Sequence, residues 1–181
     1  MIPESPDKRI RRHIRARIMD FFVICAPGLE TLCLKEISAL PMSVQEASLT
    51  DGGVIFKGRL WDMYLANLHL RTASRILMRI GELKATNFNQ LEKKLSDFPW
   101  ELYLSSDANL NISVSTHQSR LYHKDAIAEI VLKSIRNRFE NTASSQSSGH
   151  IFIRGIDDRF TLSIDTSGEL LHKRGLKLHV G

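Results

Sequence analysis

Between Ser113 and Ile127 the chain reads Ser-Val-Ser-Thr-His-Gln-Ser-Arg-Leu-Tyr-His-Lys-Asp-Ala-Ile, the stretch whose residue types are best suited to chemistry. Asn111 to Ser115 alternates, with Ile112 and Val114 on one side, and predicts a strand that exits into a polar, basic, aromatic loop. Ile127, Val131, Ile135 and Phe139 then follow helical spacing, predicting a long helix from Asp125 to Phe139. Arg120, His123 and Lys124 therefore gather at the N-terminus of that helix, where exposed N–H groups and the helix dipole attract an anion. A phosphate suits such a place, and Tyr122 and His123 offer flat faces for an unpaired base. Two readings stay open: a contact loop for RNA, or a solvated loop with Tyr122 packed into the core.

Other basic residues extend or compete with this loop. Lys133 and Arg136 lie further along the same predicted helix, although Glu129, four residues before Lys133, makes an ordinary surface pair with it. Arg75 and Arg79 share a face if Ser74 to Gly81 is a strand, where such side chains commonly solvate a sheet. His172, Lys173, Arg174 and Lys177 form a second basic cluster, facing RNA or a following domain.

Signs of catalysis are missing. No glycine belongs to a G-x-G, a G-x-x-x-x-G-K-[ST] or a G-x-S-x-G, so nucleotide phosphates have no recognisable cradle. No two of the seven histidines sit at the helical i, i+4 metal spacing, and Cys25 and Cys33 do not join them. Asp157-Asp158 reads as a solvated polar turn. Neither a catalytic residue nor a metal site is expected.

The elements that must position the loop follow from patterning. Phe21 to Ala26 is an apolar, β-rich run stopped by Pro27-Gly28, which predicts a strand buried on both faces. Leu29, Leu32, Cys33, Ile37 and Leu40 predict a helix closed by Pro41, and Leu60, Tyr64, Leu65 and Leu68 the apolar stripe of a second. Between them, Val44 to Leu49 and Val54 to Phe56 flank the turn Thr50-Asp51-Gly52-Gly53. With the strand from Ser74, the order is that of a ferredoxin-like βαββαβ unit over residues 20–85. A second unit over residues 86–181 opens at Asn87, a helix cap toward which Gln90 reaches back, with Phe88, Leu91 and Leu95 on one face. Asn141 to His150 reads as a Ser-rich loop, and Ile151 to Arg154 with Phe160 to Ile164 as a hairpin about Asp157-Asp158.

The 181 residues carry a net charge of +5, but residues 1–19 alone hold +4, leaving +1 for the folded remainder. Overall basicity is thus weak evidence for a nucleic-acid partner, and only local patches matter. Residues 1–19 read as a mobile leader, for which an upstream extension before a start at Met19, a phosphate-binding arm and an organellar leader compete. Two cysteines in apolar surroundings suit a reducing compartment, and no apolar run approaches the roughly 20 residues that span a bilayer. A cytoplasmic protein without membrane partners is expected.

Four separated blocks carry a resemblance: Phe22-Val23-Ile24-Cys25-Ala26-Pro27-Gly28-Leu29-Glu30, Asn67 to Arg75, Ser119-Arg120-Leu121-Tyr122-His123, and Asp165 to Gly175. Together they resemble the N-terminal region of bacterial 23S rRNA guanine-N2 methyltransferases, which begin with a ferredoxin-like domain followed by a THUMP domain, an RNA-binding module. The resemblance implies an α+β chain that holds structured 23S rRNA, through Ser119, Arg120, Tyr122, His123, Lys124, Lys133, Arg136, Lys173 and Arg174. Members usually reach their first strand within a few residues, which favours Met19 as the start. They continue into a domain with an S-adenosylmethionine loop and an Asn-Pro-Pro motif, and neither occurs here. No cofactor is therefore expected in this chain, and its partner would be a methyltransferase domain in cis or in trans. An acylphosphatase-like hydrolase would need an arginine in the loop after the first strand, where Ala26-Pro27-Gly28-Leu29 has none. A structural adaptor that docks proteins and not RNA is the other alternative.

Overall fold

The computed structural model describes residues 17–43, 46–105, 109–139 and 148–174. The readings of residues 1–16 as a leader and of residues 141–147 as a Ser-rich loop, together with Lys177, lie outside them. The chain divides into two units, residues 17–78 with 166–174, and residues 79–165.

The first unit contains β1 (Met19–Cys25), α1 (Glu30–Ala39), β2 (Glu46–Thr50), β3 (Gly53–Gly58), α2 (Leu60–His69) and the first half of β4 (Ala73–Lys84). Its strands lie in the order β2-β3-β1-β4, with β1 antiparallel to β3 and β3 antiparallel to β2, which is the ferredoxin-like arrangement. Phe21, Val23, Val54, Phe56 and Ile76 from the strands close with Cys33 and Ile37 of α1 and Met63 and Ala66 of α2 into one core. The sharp β2–β3 turn uses Gly52 at φ +78°, a left-handed conformation that favours glycine. Beside it, Gly53 is obligatory for space, since a Cβ there would fall 1.9 Å from the Val23 carbonyl oxygen.

Three expectations for this unit need correction. Met19, assigned to the leader, is a buried strand residue opposite Gly58. The apolar stripe of α2 is misassigned: Tyr64 and Leu68 point to solvent with Trp61, which is 67% exposed, while Asp62, Met63 and Ala66 face inward. Asp62 is tolerated there because its carboxylate accepts hydrogen bonds from the Ser43 and Arg59 N–H groups and the Ser43 hydroxyl. On α1, Leu29 and Leu32 are likewise outside, and only Cys33 and Ile37 are buried.

The second unit comprises the rest of β4, α3 (Phe88–Ser96), a short 3-10 turn Trp100–Leu102, β5 (Asn109–His117), α4 (Lys124–Arg138), β6 (Ser148–Ile156) and β7 (Arg159–Asp165). Its strand order is β4-β7-β6-β5, with β5 parallel to β6 and β6 antiparallel to β7. Leu91 and Leu95 of α3, Trp100, and Ile127, Val131 and Ile135 of α4 are buried, as are Ile151, Ile153, Phe160 and Leu162 of the sheet. Asn87 caps α3 by accepting the Gln90 N–H, while the Gln90 side chain reaches one residue further back than expected, to the Thr86 N–H and hydroxyl. Residues 148–150, read as the end of a loop, open β6.

Candidate nucleic-acid interface

The loop from His117 to His123 joins β5 to α4, and its shape is set by a turn elsewhere in the unit. Asp157 and Asp158 occupy the two-residue β6–β7 turn at φ +50° and +62°, the doubly left-handed conformation that a tight hairpin needs and that Asp tolerates. From there the Asp158 carboxylate accepts the Arg120 N–H at 2.8 Å and lies 3.5 Å from Arg120 Nε. The Asp158 N–H donates to the Ser119 hydroxyl, which donates in turn to the His117 carbonyl, and the Ala85 N–H donates to the Asp158 carbonyl. Asp158, read from sequence as an ordinary polar turn residue, is thus the positioning residue of the loop. Nothing local marks it; its partners are 38 and 39 residues away.

So held, the loop points its chemistry outward. Leu121 is buried and anchors the middle, while Tyr122 is 64% exposed, which removes the reading that buried it in the core. The Tyr122 and His123 rings lie 4.2 Å apart, tilted by 36°. His123 precedes α4 but makes no side-chain cap to the first N–H groups of the helix, the end at which an acceptor is favoured. Tyr122, His123, Lys124, Asp125 and Ala126 line a surface depression there. Arg120, two residues before Tyr122, has a side chain that is 73% exposed. Asp125 suits the positive end of the helix and competes with an incoming phosphate, so the field is mixed.

Comparison with known proteins gives this geometry a family. The RlmL ferredoxin-like domain matches residues 20–77 and the THUMP domain matches residues 85–165. The chain carries both domains. The ribosomal RNA large subunit methyltransferase K/L of Syntrophotalea carbinolica is 31% identical over 164 residues, which are 87% of this chain and 23% of that protein. The crystal structure of a predicted N6-adenine-specific DNA methylase from Listeria monocytogenes superposes with a TM-score of 0.80 at 32% identity, covering 91% of this chain and 44% of that one. SMU.472, crystallised with SAH, superposes at 0.78 with 27% identity, covering 88% of this chain and 44% of that one. The chain thus spans less than half the length of each of these relatives.

Other expected site residues are not brought to the THUMP loop. Lys133 pairs at 2.8 Å with Glu92 of α3, with the Glu129 charge also acting on it, so its ammonium is engaged across two helices. Arg136 is exposed further along α4, while Arg138 is tied to Glu101 through two hydrogen bonds. Lys173 and Arg174, expected in the second domain, lie in a 3-10 turn that belongs with the ferredoxin-like unit. The reason is visible just before them. The Thr166 N–H and hydroxyl both donate to the Ile76 carbonyl, and the Ile76 N–H donates to the Ser167 hydroxyl. Asn67 donates to the Thr166 hydroxyl and accepts from that of Ser167, while the Arg75 guanidinium reaches the Gly168 carbonyl. Two of the blocks that carry the family resemblance, 67–75 and 165–175, therefore meet to close the ferredoxin-like unit. Among the described residues no cluster of His, Cys, Asp and Glu suits a metal, and no helix is long and apolar enough to cross a membrane.

Proposed function

We propose that this chain is the RNA-holding part of an rRNA methyltransferase, with the THUMP loop as its contact surface. The observation that supports it best is the loop itself: Arg120 and Lys124 beside the N-terminus of α4, with Tyr122 and His123 exposed for stacking and the backbone latched by Asp158. Phosphate contacts supply affinity in such an interface, and shape and stacking supply selectivity. The finer reading is that the whole protein methylates the exocyclic amine of a guanine in 23S rRNA. Its donor, S-adenosylmethionine, would be held by a catalytic domain outside the described residues.

The test is fluorescence-anisotropy titration of a structured rRNA stem-loop at several salt concentrations. It compares the chain with Arg120→Ala/Lys124→Ala and with a version starting at Met19. Each lost phosphate contact lowers the slope of log affinity against log salt by about 0.7–0.9, so the double variant should lose between one and two units of slope and retain its thermal midpoint. Binding that persists with the same slope in the double variant, or that disappears when residues 1–18 are removed, defeats the proposal. A second reading, docking of a protein, is favoured by one observation: the α2 stripe of Trp61, Tyr64 and Leu68 is exposed although apolar.

A further inference from the structure

One face of β5 and β6 is polar and lies outside the core. Ile112, Val114, Ile151, Ile153, Phe160 and Leu162 alternate toward the helices. The other side of β5 and β6 carries Asn111, Ser113, Ser115 and His117 beside His150, Phe152 and Arg154. Two of its side chains are carbon-rich, Phe152 in the middle of β6 and Ile156 at its end opposite His117. Phe152 stacks on His150 with centroids 4.1 Å apart and planes 25° from parallel. Ser113 holds the imidazole from the neighbouring strand, its hydroxyl 2.7 Å from His150 Nε2. Register places Phe152 between Ser113 and the buried Ser163, and Arg154 between Ser115 and Thr161; Ser113, His150 and Phe152 are half-buried. Asn111, Ser115, His117 and Arg154 are exposed.

A solvated sheet face needs only polar side chains. An ordered two-ring tier on such a face, ringed by hydroxyls and amides and followed along β6 by an exposed arginine, has the composition that reads unpaired nucleotides: an aromatic surface for a base, donors and acceptors for its edge and the ribose hydroxyl, and a cation for the phosphate. We propose that this face binds a single-stranded RNA segment, one base stacking on the Phe152–His150 tier and the adjoining phosphate lying on Arg154. The inference rests on the RNA-holding reading above and extends it. At about 3.3 Å per residue, the four-residue step along β5 from Ser113 to His117 covers about 13 Å and ends where the Arg120–Lys124 loop begins. A strand leaving the tier thus has a second set of cations at the end of β5.

The experiment titrates the full chain with a short single-stranded RNA and, separately, with a perfect RNA duplex, following anisotropy at several salt concentrations. Phe152→Leu should weaken single-strand binding about tenfold with the salt slope unchanged, because stacking carries no counterion, and should leave duplex binding as it was. Phe152→Tyr should restore it. Arg154→Gln changes an exposed side chain and should lower the single-strand slope by about 0.7. If wild type binds both RNAs and Arg154→Gln keeps the wild-type slope, or Phe152→Leu weakens duplex and single strand alike, the sheet-face site is wrong and the loop reading stands. If wild type binds neither RNA, the RNA reading itself fails.

Discussion

Removing the Asp158 carboxylate should loosen the loop that presents Arg120, by an amount that follows from its bonds. The carboxylate accepts the Arg120 N–H at 2.8 Å, and a hydrogen bond to a charged acceptor contributes about 1.5–3 kcal/mol. Its approach to Arg120 Nε at 3.5 Å adds little, because solvent around an exposed guanidinium holds such pairs below about 1 kcal/mol. Alanine must also keep the φ of +62°, where an ordinary side chain costs roughly 1–2 kcal/mol and Asp less. Water can replace the lost acceptor at this loop, so the low end applies: opening becomes about 2 kcal/mol easier in Asp158→Ala, equivalent to about 30-fold faster exchange of the Arg120 amide. Asparagine keeps an acceptor oxygen and tolerates the turn, so Asp158→Asn should lose about 1 kcal/mol, or about fivefold. Amide hydrogen exchange read by NMR measures both, and RNA titration should show Asp158→Ala binding more weakly with an undiminished salt slope, since the cations remain. Arg120 exchange that is unchanged in Asp158→Ala, or equal in the two variants, refutes the latch.

Two further outcomes concern the ferredoxin-like unit. Burial alone would raise the Glu36 carboxyl, but hydrogen bonds from the Thr72 hydroxyl and from the Thr72 and Arg71 N–H groups, with the Arg71 charge, outweigh it and hold the group below its ordinary value of 4.5. Its stabilisation is therefore complete above that value and lost as pH falls through the depressed one, so Glu36→Gln should lower the thermal midpoint at pH 7 and converge with wild type in acid, monitored by circular dichroism. Burial pushes the Cys33 thiol up to about 11 and also raises that of Cys25, so a disulfide-forming reagent at pH 8 should label neither in the native chain while labelling both in guanidinium. Rapid native labelling would mean that this core opens readily.

Much of the architecture was legible because local signals agreed with the final packing. The run from Phe21, the turn at Gly52-Gly53, the Asn87 cap and the Ile127-Val131-Ile135 stripe each specify their element without help from afar. Apolar content misled at α2, where Leu60, Tyr64, Leu65 and Leu68 make a plausible stripe. The helix instead turns Asp62, Met63 and Ala66 inward, because Ser43 and Arg59 satisfy the carboxylate. The loop cations were legible from helix position and charge. Asp158 was not, since its role exists only once a turn 38 residues on is folded beside Arg120. Nor was the sheet-face tier, because residues 148–150 read as part of a loop and His150 meets Ser113 only through parallel pairing.

The bonds of Thr166 and Ser167 to Ile76 and Asn67, with Leu171 buried in the same core, mean that the first unit is finished by residues synthesised after the whole of the second. On a translating ribosome the N-terminal unit must wait, its last strand contacts unfilled, while residues 79–165 emerge and fold. The segment that completes it appears only after residues 79–165, so a chain released before that segment would carry a THUMP unit able to fold and a ferredoxin-like unit that lacks its closing contacts. Completion of the N-terminal unit thereby reports that synthesis has passed the THUMP domain.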